Sequence, residues 1–174
     1  AKRGLPHLRS TAEALPVLRS KETQELFEKY GVLNKRELTA RVDVLIETYN
    51  KVMDIEAKTL ISMLKQQVLP AALRFQTELA ETVAGTKSAG AKCPDTAKQL
   101  DSVIDLITEL RKSIDAVEKA NAHHAADAEK HAKYIHEKLV PAMARARAAS
   151  DELETVIPDD LWSLPTYAEM LFVR

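Results

Sequence analysis

Histidine is the residue of this 174-residue chain with the clearest capacity for chemistry, and His123, His124, His131 and His136 fall with Asp127 inside one short stretch. On a helix, His124, Asp127 and His131 share a face at i, i+3 and i+7, a spacing that suits imidazole and carboxylate ligands of zinc or a similar ion. Such a site needs a fourth ligand from another helix and partners for the remaining ring nitrogens. The surrounding text is rich in alanine and lysine, which favours boundary histidines on a partly exposed helix. No metal site is expected.

Other chemistry is harder to place. There is no glycine-rich phosphate loop, no GxSxG elbow and no HExxH pair, and Cys93 has no flanking motif that would activate a thiolate. Several acidic residues, Glu37, Glu47 and Asp54 among them, stand four positions from a Lys or Arg, as on solvated helix faces. Arg145 and Arg147 form a small basic patch that neighbouring Asp151 and Glu152 offset.

Twenty-five basic and 26 acidic residues are interspersed to a net charge of −1, which argues against nucleic acid or an anionic membrane as partner. No run approaches the roughly 18 apolar residues of a membrane span. A single cysteine allows no intrachain disulfide, and a soluble cytoplasmic protein is expected. The sequence lacks an initiator Met, so a piece of a longer protein is expected.

The elements that must hold these residues are helices. Only four glycines occur, Gly4, Gly31, Gly85 and Gly90, and they mark the breaks. Residues 1–19, with Pro6 and Pro16, read as an extended leader whose Leu15, Val17 and Leu18 lie on the domain surface. Ser20 caps a short helix that Gly31 ends, with Leu26, Phe27 and Tyr30 as its apolar stripe. Asn34 and Glu37 make a capping box, after which Leu38, Val42, Leu45, Tyr49, Val52 and Leu60 keep the spacing of a helical seam to about Ala84, with a kink at Pro70. Residues 85–94 reverse the chain. A second seam runs through Leu100, Val103, Ile107, Leu110, Ile114 and Val117. A third stripe, Ile135, Leu139, Met143, Leu153 and Ile157, follows either a turn near Asn121 or an unbroken helix; the turn is favoured. Val68-Leu69-Pro70-Ala71-Ala72 is echoed by Leu139-Val140-Pro141-Ala142-Met143, so two helices carry proline kinks. The fold class is therefore all-α: an elongated antiparallel bundle of about three long helices with a short N-terminal helix and an irregular aromatic tail. The domain reading is a leader over 1–19, a bundle over 20–158 and a tail over 159–174.

That tail, LWSLPTYAEMLFVR, carries too much apolar area for a solvated terminus. Trp162, Tyr167, Met170 and Phe172 are expected to be docking anchors.

Three stretches resemble the C-terminal region of the type III glutamine synthetases. The first spans residues 15–63, where Leu15-Pro16, Leu26-Phe27, Gly31-Val32, Glu37-Leu38, Arg41, Glu47, Tyr49 and Ile55-Glu56-Ala57 follow the family pattern. The second is QQVLPAALRFQ around Pro70, and the third, the most specific, is LPTYAEMLF. The resemblance implies a parent enzyme that ligates ammonia to glutamate with ATP and Mg or Mn, built as a homo-oligomer. It also implies that the active site lies in an upstream catalytic domain, so no catalytic, cofactor or metal residue is carried onto this chain. A non-catalytic helical domain packing on that catalytic domain or on neighbouring subunits, for assembly or regulation, is the expected function; the alternative is an independent helical protein-interaction module.

Overall fold

A computed structural model describes residue 4, residues 7–165, the backbone of 167–168 and all of 169–171. The described residues are helical, with no strand. The helices are α1 Thr11–Val17, α2 Lys21–Lys29, α3 Lys35–Met63, α4 Leu69–Ser88, α5 Pro94–Asn121, α6 Ala128–Tyr134, α7 Val140–Glu154 and α8 Tyr167–Leu171. Two π-helical turns, Leu64–Val68 and Ile135–Leu139, join α3 to α4 and α6 to α7 without a break in the helical path. The long helices form a helical bundle, as the seams predict.

Local chemistry sets the helix ends. Asn34 Oδ1 accepts from Glu37 N–H at 2.9 Å while Glu37 Oε2 accepts from Asn34 N–H at 2.9 Å, the reciprocal box expected from the sequence. Ser20 Oγ accepts from Thr23 N–H at 3.2 Å. Gly31 and Gly90, at φ 64° and 79°, terminate α2 and α4. Val32 N–H reaches back to Phe27 C=O and Ala91 N–H to Thr86 C=O, the six-residue bond that a left-handed residue makes possible.

The expectations for the leader, the reversal and the tail need correction. The leader is not wholly extended: α1 lies inside it, started by Ser10 Oγ accepting from Glu13 N–H at 3.2 Å and by Arg9 N–H donating to Glu13 Oε2 at 2.8 Å. Pro16 sits within α1. The reversal begins later than Gly85, because Gly85 stays helical and Thr82, Thr86 and Ser88 turn their hydroxyls back onto carbonyls four residues earlier. The apolar stripe of α2 is largely uncovered, with Leu26 and Tyr30 exposed and Phe27 partly covered. The tail, expected to be irregular, contains the single turn α8.

Both expected kink sites coincide with the π turns. Leu69 N–H bonds Leu64 C=O and Val140 N–H bonds Ile135 C=O, each five residues back and each immediately before a proline. In a regular α turn the proline ring clashes with the carbonyl four residues earlier, and a wider turn accommodates it.

The chain divides into two units, each assembled from separate segments: residues 1–57 with 120–141, and residues 58–119 with 142–174. In the first, Val42, Ile46 and Ala132 form a buried cluster against which Ala12, Leu15, Leu18 and Tyr49 pack. Arg19 pairs with both Asp43 and Glu129, tying α3 to α6. In the second, α4 buries Ala71, Ala72, Phe75, Leu79 and Val83, α5 buries Val103, Ile107, Leu110, Ile114 and Val117, and α7 buries Ala142, Ala146, Ala149 and Leu153. Lys65 Nζ to Glu118 at 2.6 Å links the first π turn to α5.

Candidate docking surface

The histidines stand at a helix end rather than along a helix face. α5 stops at Asn121, residues 122–127 are not helical, and Asp127 caps α6, its Oδ1 accepting from Lys130 N–H at 2.8 Å. The expected shared face of His124, Asp127 and His131 is thereby lost, because the aspartate is taken up by the backbone of the next helix. His124 and His131 still approach to 5.6 Å between ring centroids, and His123 lies 4.1 Å from Tyr134. With Asp54 and Asn121, which are joined by a 3.1 Å hydrogen bond, they surround a space of only about 10 Å³. That is the room of one water. Among the described residues, no three of His, Cys, Asp and Glu are arranged to hold a metal ion.

Burial pushes the His131 imidazole below its ordinary pKa, and the charges of His124 and His123 push the same way against Asp54. The folded protein therefore binds this proton less readily than the unfolded chain. Stability conferred by neutral His131 is complete above the ordinary histidine range near pH 6.5. It falls as acidification protonates the unfolded state first, and levels off below the folded pKa. Urea midpoints measured between pH 7.5 and 5.5 are expected to drop, with a shallower drop in His131→Gln; equal slopes would show that His131 does not carry the effect.

The other side chains with chemical capacity are engaged locally. Arg147 Nε pairs with Asp151 at 3.5 Å, and the half-buried Cys93 thiol faces Val83 C=O at 3.9 Å.

Apolar exposure is the feature that remains. On α3, Val44, Leu45, Val52 and Ile55 are 64, 47, 44 and 60% exposed. At 100° per residue they occupy one sector, turned by roughly 120° from the buried Leu38, Val42 and Ile46. The helix thus has two apolar faces, and the chain covers one. Periodicity alone merged them, since Leu45 and Val52 fit the same 3-4 seam as the buried residues. Leu26, Tyr30 and Val32 add a second exposed group around the end of α2.

In the tail, Trp162 is buried, at 9% exposure, while Met170 and Leu171 are exposed. Trp162 N–H bonds back to Pro158 C=O at 3.2 Å. Tyr167 begins α8, its side chain lying outside the described residues together with all of Phe172. No helix among the described residues is long and apolar enough to cross a membrane.

Capped helices, two π turns and uncovered apolar faces define an all-α domain, and comparison with known proteins gives it a family. Residues 1–87 match the model of the glutamine synthetase C-terminal domain, and the chain belongs to that family. It is 30% identical to a type-3 glutamine synthetase of Dictyostelium discoideum over 99% of its length, and 30% identical to a glutamine synthetase of Butyrivibrio fibrisolvens over 99%. A glutamine synthetase of Bacteroides fragilis is 25% identical over the whole chain. The chain spans about a quarter of the length of these curated relatives. The resemblance to type III enzymes read from the sequence is therefore shown. The family model stops short of the tail, whereas the relatives align across nearly all of the chain.

Proposed function

We propose that this chain is a non-catalytic helical domain of a type III glutamine synthetase. In this reading the parent enzyme joins ammonia to glutamate with ATP and Mg or Mn in the cytoplasm, at an active site outside these residues. The domain packs on the catalytic body or on neighbouring subunits of a homo-oligomer. Trp162, Tyr167, Met170 and Phe172 anchor its end.

The observation that carries this reading is the outward stripe of α3. A row of aliphatic residues along a helix whose neighbouring face already supplies a core is costly to leave in water, and such patches mark contact surfaces. Relatives about four times longer supply the polypeptide that could cover it.

In the full-length enzyme, Val44→Asp combined with Ile55→Asp is expected to reduce the assembled fraction at least tenfold, read by analytical ultracentrifugation. The same pair in the 174-residue chain is expected to leave helical circular dichroism and the urea midpoint within experimental scatter, because both residues are exposed. Full assembly of the double variant would refute the assignment of this surface.

A further inference from the structure

The second unit contains a pocket of about 280 Å³ whose lining includes two of the proposed anchors, Trp162 and Met170. Leu60, Met63 and Leu64 form one wall and Leu164, Pro165 and Met170 another. Trp162 closes it from the tail, and Arg147, Asp151 and Glu154 of α7 stand at its polar side. The volume sits at the lower edge of the range for small-molecule sites, and a mostly apolar lining with a few polar groups is their usual composition.

Two polar groups are left over. Trp162 is nine-tenths buried, yet its indole N–H finds no acceptor among the described residues. A buried donor without a partner is uncommon and points to an acceptor supplied from elsewhere. Among the described lining residues, Asp151 and Glu154 share α7 with Arg147, which pairs with Asp151. Glu154 has no ion pair among the described residues, so its carboxylate is available to a cation.

We infer that this pocket binds a small apolar amine bearing a neutral carbonyl: the apolar body fills the Leu and Met walls, the carbonyl oxygen accepts from the Trp162 indole, and the ammonium meets Glu154. Because Trp162 and Met170 line the pocket, this assignment competes with their role as anchors but not with docking through the α3 surface, and every group it needs belongs to the chain itself.

Trp162 is the chain's single tryptophan, so its fluorescence reports occupancy directly. L-phenylalaninamide, which combines a benzyl group, an amine and an amide carbonyl, is expected to give a saturable change with a Kd below about 1 mM. 3-Phenylpropanamide, lacking the amine, and 2-phenylethylamine, lacking the carbonyl, are each expected to bind about tenfold more weakly, the effect of losing one charge-assisted or buried hydrogen bond. The anion 3-phenylpropionate is expected to bind weakest. Glu154→Gln, at a partly exposed position that the fold does not depend on, is expected to remove the advantage of the amine while leaving 3-phenylpropanamide unchanged. The assignment is overturned by any of three results: no saturable change up to about 10 mM, equal binding of 3-phenylpropionate, or an undiminished amine preference in Glu154→Gln.

Discussion

Truncating Leu110 to alanine is expected to lower the unfolding free energy by about 2–5 kcal/mol, the cost of emptying a fully buried leucine site in the second unit. Leu110 is fully buried at the middle of the α5 seam, between Ile107 and Ile114. Removing three carbons there forfeits the transfer free energy of burying them and leaves a cavity that close-packed neighbours only partly fill. Ile104, six residues earlier on the same helix, is 38% exposed. Ile104→Ala is accordingly expected to cost no more than about 1 kcal/mol. Urea denaturation of both variants decides the matter: the midpoint of Leu110→Ala should fall far below that of Ile104→Ala at unchanged slope. Similar midpoints would mean that the α5 seam is not the core it is described to be.

Deleting Gln66 is the second severe change. This exposed residue lies inside the first π turn, and a turn closed by bonds five residues long holds one residue more than an α turn. Its removal returns Leu64–Val68 to α geometry and brings Pro70 into the regular ladder, where the ring meets the carbonyl four residues back. A penalty of about 3 kcal/mol or more is expected. The apolar positions supply the reason to expect an otherwise intact helix: Leu64, Val68 and Ala72 are buried at two consecutive steps of four, and the deletion shortens the first to three, restoring the alternation that continues through Phe75 and Leu79. Combining the deletion with Pro70→Ala should therefore recover most of the lost stability. If the double variant is as unstable as the deletion alone, the proline is not what the π turn accommodates.

What could be read from the sequence follows how local the cause is. The Ser20 cap and the Asn34 and Glu37 box depend on residues within one turn of one another, and both stand in the structure, as does the break near Asn121, whose sign was the longer-range thinning of the apolar pattern after Val117. The α1 helix had an equally local signal in Ser10 and Glu13, masked by Pro6 and Pro16. Its stability comes instead from packing, because Leu15 and Leu18 reach the cluster of Val42, Ile46 and Ala132. Gly85 misplaced the end of α4, since glycine weakens a helix but terminates one only where a positive φ is adopted, here at Gly90. A π turn precedes each of the two prolines at which a kink was expected, and the sequence did not announce it, because hydrogen-bond register leaves no imprint on residue type. For the docking surface, the spacing identified α3 as amphipathic without separating its covered side from its uncovered one. That distinction needs the neighbouring elements. The pocket beside Trp162 was invisible for the same reason, its walls coming from α3, the π turn, α7 and the tail.

The division of the chain into two units of interleaved segments has a consequence for synthesis on the ribosome. The first unit needs residues 120–141 to be complete, so its leading 57 residues must emerge and wait while about eighty more are translated, a delay of roughly 4–17 s at ordinary elongation rates. During that interval the aliphatic face of α3 and the residues destined for the Val42 cluster are exposed together on the nascent chain, so this stretch is where a co-translational chaperone would find its longest opportunity.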